Sequence, residues 1–216
     1  MYLLIPCCLL LAGLYIRLQQ KKRFVPALLL KSLASLCFVA LGFLCAAGAD
    51  RLVLAGLVLG CVADVLLGLR TVFEKGRQKL FLLGGLVFLG GHVLYLAAVW
   101  PSVRSRSLCV LLSVLATFCL LRLLLPQLRA GRALKCFGGV YFSVFVLLNT
   151  TAVCRAAAEP GGFSLLFAAG VFLFLCSDIL LNLYSFGPRR RFGTRVLYCV
   201  LYYLGQLAIA LSLRFL

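Results

Sequence analysis

A few polar side chains stand inside long apolar runs: Lys31, Asp64, His92 and Asp178, with Tyr95, Asn182, Tyr202 and Gln206 near them. A charge at the middle of a membrane helix costs roughly 2.5–3.5 kcal/mol on insertion scales, so ionisable residues there face a bundle interior and carry a function. Two carboxyl groups against one ammonium exceed what a structural ion pair needs. Buried carboxyl groups move protons in acid–base catalysis and also mark ion and proton pathways. Asp64 and Asp178 are therefore the expected centre of any chemistry.

Spacing supports an inward direction. Gly56, Gly60, Asp64 and Gly68 recur every four residues, as do Gly170, Phe174, Asp178 and Asn182. Small residues on one helix face are where neighbouring helices approach. Tyr198, Tyr202 and Gln206 form a further stripe, and His92 shares a face with Tyr95. At about 1.5 Å per residue, Lys31, Asp64 and Asp178 lie about 7–9 Å from one membrane edge, and His92, Tyr202 and Gln206 about 12–18 Å in. One shared site is expected, open toward the edge where basic loops gather. An amphiphilic lipid with a phosphate headgroup fits that geometry, its tail staying among the helices.

The elements that position these residues are helices. The chain has 216 residues, 64% apolar and only 12% charged, with mean hydropathy +1.14. That excludes an ordinary soluble domain. Eight transmembrane spans are expected, at about residues 2–18, 25–48, 52–69, 81–100, 107–125, 134–157, 162–184 and 194–215. They make one all-α, eight-span domain over 1–216 that leaves no length for a separate soluble catalytic domain. Five of the six prolines fall at span ends or between spans, where a missing amide donor costs little. Basic residues follow the first apolar run rather than preceding it, so it reads as a retained anchor, not a signal peptide.

The formal charge of +17 does not indicate nucleic acid, because the Lys and Arg residues lie in short turns between apolar runs. The loops after spans one, three, five and seven hold most of them, including Arg70, Lys75, Arg77, Lys79, Arg129, Arg132 and the run Arg189–Arg191. By the positive-inside rule these loops are cytoplasmic and both termini lie opposite. The expected compartment is the endoplasmic reticulum for a eukaryotic chain and the inner membrane for a bacterial one. Eleven cysteines sit within apolar runs and read as small hydrophobes. No CxxC occurs and the single histidine has no partner at zinc-site spacing, so a thiol-metal centre is not expected.

The strings Ala63-Asp64-Val65-Leu66-Leu67-Gly68-Leu69 and Ser177-Asp178-Ile179-Leu180-Leu181-Asn182-Leu183 nearly coincide, and Val93-Leu94-Tyr95 matches Val200-Leu201-Tyr202. Two parallel four-helix repeats would explain both matches and would set the two aspartates at equal depth around one cavity. Chance agreement in leucine-rich text is the bland alternative. Other readings of the polar set are a transporter or channel for a small solute, a lipid-binding scaffold, and a hydrolase acting on another ether or an epoxide.

The chain resembles the YhhN-like integral membrane family, which includes lysoplasmalogenase. The likeness rests on Leu30-Lys31-Ser32-Leu33, Val62-Ala63-Asp64, Gly91-His92 with Tyr95, Ser177-Asp178, and Tyr202-Tyr203 followed by Gln206. It extends over about residues 25–213. This chain has Ala63 where a glycine often precedes the first aspartate, and Tyr184 where a polar residue often follows the second, with Asn182 able to serve instead. The resemblance implies hydrolysis of the vinyl-ether bond of a choline or ethanolamine lysoplasmalogen to a fatty aldehyde and a glycerophospho-base, without a cofactor. It implies Asp64 and Asp178 as the catalytic acids. Lys31, His92, Tyr95, Asn182, Tyr202 and Gln206 are expected to position substrate or water, with one aspartate the acid and the other kept ionised by Lys31.

Overall fold

The computed structural model describes residues 1–46, 51–73 and 75–216. The last two residues of the expected second span lie outside the described residues. The architecture is an all-α bundle of eight helices: α1 (Leu4–Gln20), α2 (Phe24–Cys45), α3 (Arg51–Val72), α4 (Arg77–Val99), α5 (Arg106–Leu124), α6 (Arg132–Ala158), α7 (Gly162–Phe186) and α8 (Phe192–Ser212). Seven of them are long and apolar enough to cross a membrane, which makes the chain an integral, multi-pass membrane protein. The first, with 17 residues, is shorter than the roughly 20 residues a full crossing takes. It lies along α2 and α8.

Helix ends overrun several expected spans because polar helix formers continue the turn past the apolar core. α4 begins at Arg77 and includes Gln78 and Lys79, residues with good helix propensity. The chain reverses before α4 at Gly76, with φ of 83°, and before α2 at Lys22, with φ of 56°. Pro6 and Pro26 fall in the first turns of α1 and α2, where the absent N–H has no intrahelical acceptor.

The most extensive interfaces are α3 with α4 and α7 with α8. Each is built on a glycine pair. A Cβ on Gly91 would lie 3.3 Å from the Gly56 carbonyl, and one on Gly170 would lie 2.8 Å from the Gly205 carbonyl. Only hydrogen at these positions lets the backbones approach so closely. The same sequence interval separates Gly56 from Gly170, Asp64 from Asp178 and Gly91 from Gly205. Interfaces between helices also repeat: α2 packs on α8 as α6 packs on α4. The two halves are thus related helix by helix with α1–α4 matching α5–α8. The glycine register pairs His92 with Gln206, so the likeness of Val93-Leu94-Tyr95 to Val200-Leu201-Tyr202 lies about two helical turns out of step and is not part of the repeat.

A side chain at Gly170 would meet backbone atoms, the Gly205 oxygen at 2.8 Å and the Ile209 nitrogen at 2.9 Å, whereas Gly13 has nothing within 4 Å. Backbone cannot yield as a flexible side chain can. Gly170→Leu should therefore destabilise the bundle by about 2 kcal/mol or more, while Gly13→Leu should be near neutral. Unfolding midpoints in mild detergent check this; equal midpoints for the two variants would show that the crossing does not depend on the glycine.

Candidate active site

Asp64 and Asp178 face one cavity of about 610 Å³, whose lining comes from α1, α2, α3, α4, α6, α7, α8 and the connections that carry the basic residues. Both carboxyl groups are buried, at 2% and 5% exposure. Lys31 and Tyr202 line the same space.

Asp64 is held from two neighbouring helices. Lys31 on α2 places its ammonium 2.8 Å from Oδ1. On Oδ2, the Ser35 hydroxyl donates at 2.6 Å and the Tyr202 hydroxyl at 2.7 Å. Ser35 Oγ also stands 3.1 Å from the Lys31 carbonyl. Its single proton is better placed on the carboxylate, where a charge-assisted bond is shorter and stronger. Behind Tyr202, Gln206 Nε2 donates to the tyrosine oxygen at 3.2 Å, and Tyr95 donates to Gln206 Oε1 at 3.3 Å. The glycine stripe of α3 makes room for this chain. A Cβ on Gly56 would lie 2.3 Å from the Tyr95 ring, and one on Gly60 would lie 2.8 Å from Gln206 Nε2.

Asp178 has a different set of partners. The Tyr141 hydroxyl of α6 makes a short hydrogen bond to its Oδ2, and His92 Nε2 lies 2.9 Å from the same hydroxyl. With Tyr141 donating to the carboxylate, its oxygen accepts from the His92 Nε2–H. His92 Nδ1 is buried without a partner, and this tautomer leaves there a bare acceptor rather than an unsatisfied N–H. The imidazole stacks on Phe145 with ring centroids 3.8 Å apart, and Phe174 meets it edge-on. Phe88 and Phe174 also pack edge-on against Tyr202. An aromatic wall therefore separates the two hydrogen-bond networks below the cavity floor.

The expected residues fall into three places. Lys31, Asp64, Asp178 and Tyr202 line the large cavity. His92, Tyr95 and Gln206 are fully buried behind it, at 1%, 1% and 0% exposure; His92 connects to it through Tyr141 and Asp178, and Tyr95 and Gln206 through Tyr202. Asn182 lines a small adjoining space of about 40 Å³ shared by Asp178, Tyr141 and Phe137. Its Nδ2 donates to the Asp178 backbone carbonyl at 2.9 Å, not to the carboxylate.

Two partners of the carboxyl groups have no place in the sequence expectations. Ser35 sits one turn after Lys31 on the same face of α2, which is a legible signal. Tyr141 belongs to α6, the repeat counterpart of α2, so a donor to Asp178 was to be sought there. Among the described residues no three His, Cys, Asp or Glu side chains converge as a metal centre requires.

A model of the YhhN family matches residues 23–213, which takes in every side chain named so far at the two carboxyl groups. The chain belongs to the YhhN family. No curated protein and no solved structure matches it significantly. The YhhN match leaves out α1, yet Tyr15 and Gln19 of α1 line the cavity, so this helix contributes to the wall outside the family's extent.

The Lys31–Asp64 pair is mostly buried, with side-chain exposures of 12% and 2%. Removing one partner strands the other charge in a buried site, which typically costs 3–5 kcal/mol. Lys31→Met should therefore lower stability by about 3 kcal/mol, and adding Asp64→Asn should recover much of the loss. A double-mutant cycle of unfolding free energies checks the coupling; additive effects would mean that the two groups stabilise the fold independently.

Proposed function

We propose that this YhhN protein hydrolyses the vinyl-ether bond of a lysoplasmalogen inside the bundle, with Asp178 as the acid and Asp64 as the base. The observation that carries the reading is the unequal setting of two carboxyl groups on one lipid-sized cavity. Asp64 meets an ammonium and two hydroxyl donors, the environment of an ionised carboxylate. Among the described residues Asp178 meets one hydroxyl and no cation within ion-pair distance, and can carry a transferable proton. Membership of a family that includes lysoplasmalogenases supports the same reading.

The steps balance. Asp178 gives its proton to the alkene carbon remote from oxygen, forming an oxocarbenium ion. Water adds to the adjacent carbon and passes a proton to Asp64, giving a hemiacetal. On collapse the hemiacetal hydroxyl returns a proton to Asp178, and Asp64 protonates the departing glycerol oxygen. The products are a fatty aldehyde and a glycerophospho-alcohol, and both acids regain their starting states. The logic is that of paired carboxyl groups in glycosidases. Tyr141 steadies the Asp178 carboxylate after proton release, with His92 fixing Tyr141. Gln206 and Tyr95 fix Tyr202 on Asp64. The small apolar space beside Asp178, walled by Phe81, Phe88 and Phe137, suits the start of the hydrocarbon tail.

Purified protein offered alkenyl and acyl lysophospholipids side by side should release aldehyde from the alkenyl lipid alone. In D₂O the aldehyde, trapped at once, should carry one deuterium on the carbon next to the carbonyl. Asp178→Asn and Asp64→Asn should each lower turnover at least about 100-fold, the usual scale of a lost general acid or base, with the protein still folded. Near-normal turnover in both variants, or solute flux through proteoliposomes without lysolipid consumption, would overturn the assignment.

A further inference from the structure

The cavity entrance carries an unusual balance of charge. Arg70 of α3, Arg77 of α4, Arg129 of the α5–α6 connection, Arg190 of the α7–α8 connection and Arg195 of α8 all line it. Among the described residues, none of these five has a carboxylate within ion-pair distance; the ion pairs are Lys31–Asp64, deeper in, and Arg104–Glu159 elsewhere. Among the described residues the rim is therefore a ring of cations without a paired carboxylate, a setting that attracts an anionic ligand.

Three of the five have neutral partners, Arg190 donating to the Ser185 carbonyl at 3.2 Å. Arg70 lies over the Phe81 ring at 4.9 Å and donates to Ser185 Oγ at 3.3 Å. Arg195 lies over the Tyr184 ring at 5.5 Å and donates to Gln19 Oε1, whose amide in turn donates to Thr71 Oγ1 at 3.4 Å. Arg195 Nε is buried and has no hydrogen-bond partner. A guanidinium held this way keeps unused N–H groups in a fixed fork, the arrangement that suits phosphate.

The reach of a lysolipid matches the separation. Arg70 stands about 9 Å along α3 from Asp64, and Arg195 about 10 Å along α8 from Tyr202. In a lysoplasmalogen about seven bonds separate phosphorus from the carbon to be protonated, roughly 8 Å when extended. Phosphate at the rim thus sets the vinyl ether at the carboxyl groups. Among the described residues the rim offers an amine no carboxylate. The Phe81 and Tyr184 rings, two of the aromatic faces on which a quaternary ammonium could rest, each carry an arginine instead, and the carboxyl groups lie a full headgroup below. A choline or ethanolamine nitrogen would add positive charge to an already positive ring.

We infer that this protein prefers lysolipids with a net anionic headgroup, a phosphomonoester or a phosphodiester of an uncharged alcohol such as glycerol, over the zwitterionic choline and ethanolamine forms. The inference rests on the hydrolase reading for its catalytic readout, but the binding preference stands apart from turnover.

The test uses the full-length protein in neutral detergent with alkenyl lysolipids bearing phosphate, phosphoglycerol, phosphocholine or phosphoethanolamine. The anionic pair should show kcat/KM at least tenfold higher, through KM. The ratio should shrink at high ionic strength and in Arg70→Gln and Arg195→Gln; the salt arm needs no variant to fold. Aldehyde released equally from all four, or faster from the zwitterions, would overturn the headgroup inference and leave the hydrolase reading standing. Calorimetric titration of uncleavable alkyl-ether analogues with the same four headgroups decides the preference even if no aldehyde forms, and equal affinities would overturn it. Glycerol phosphate without a chain should bind far more weakly; equal affinity would make the rim a site for soluble anions and overturn the lipid assignment.

Discussion

Within a membrane span a carboxyl group is costly unless it is paired or hydrogen-bonded, so each must find its partners on neighbouring helices. The arrangement of this bundle around Asp64 follows from that constraint. Its three donors come from α2 and α8, while the acid itself sits on α3. A helix rotated by one residue, about 100°, would carry its donor out of reach. The polar contacts therefore specify the rotation of helices whose apolar faces, Leu and Val on every side, would pack almost equally well in other registers. Glycine completes the specification: Gly56 and Gly60 admit the Tyr95 ring and the Gln206 amide that anchor Tyr202 from behind.

Repetition of the four-helix unit explains why a second acid lies on the same cavity, and divergence between the units explains why the two are not equivalent. In the register set by Gly56–Gly91 and Gly170–Gly205, Tyr202 corresponds to Phe88. The donor that α8 gives to Asp64 thus has an apolar counterpart on α4, and Asp178 receives no such bond. On the α2 side the first unit supplies Lys31 and Ser35; on the α6 side the second supplies Tyr141 alone. Of the two corresponding positions, one holds a fully coordinated carboxylate and the other a sparsely coordinated one. That difference is the asymmetry an acid and a base need.

The sequence displays the helices plainly, because apolar runs of this length in a chain of this hydropathy have few alternatives. It also displays Asp64, Asp178 and Lys31, since a charge in such text is conspicuous, and the likeness of residues 63–69 to 177–183 points to the real repeat. It does not display depth through the bundle. Helical spacing sets His92, Tyr95 and Gln206 on inward faces, but whether an inward side chain reaches a cavity or ends behind its wall depends on how closely the helices cross. That closeness is set by glycines on a different helix. Ser35 and Tyr141 escape notice for a related reason: a hydroxyl among apolar residues is unremarkable until an acid is known to lie opposite. The short matches around Tyr95 and Tyr202 mislead because three-residue identities recur by chance in leucine-rich helices.

The arginines illustrate how one feature can answer two demands. Positive charge in the loops after the first, third, fifth and seventh helices orients a chain in its membrane, and for that purpose any position near the helix ends would serve. Yet Arg70 and Arg195 lie within their helices rather than in the flanking turns, and each guanidinium rests on an aromatic ring beside a neutral hydrogen-bond acceptor. Topology alone does not require that placement. A cavity that opens at the same end does, because a charge that only orients the chain can remain fully hydrated and mobile, whereas a charge that grips a headgroup has to be held at a fixed distance from the chemistry. In the proposed reading the bundle unites membrane orientation and ligand capture at one rim, with the acids set about one lysolipid headgroup further in.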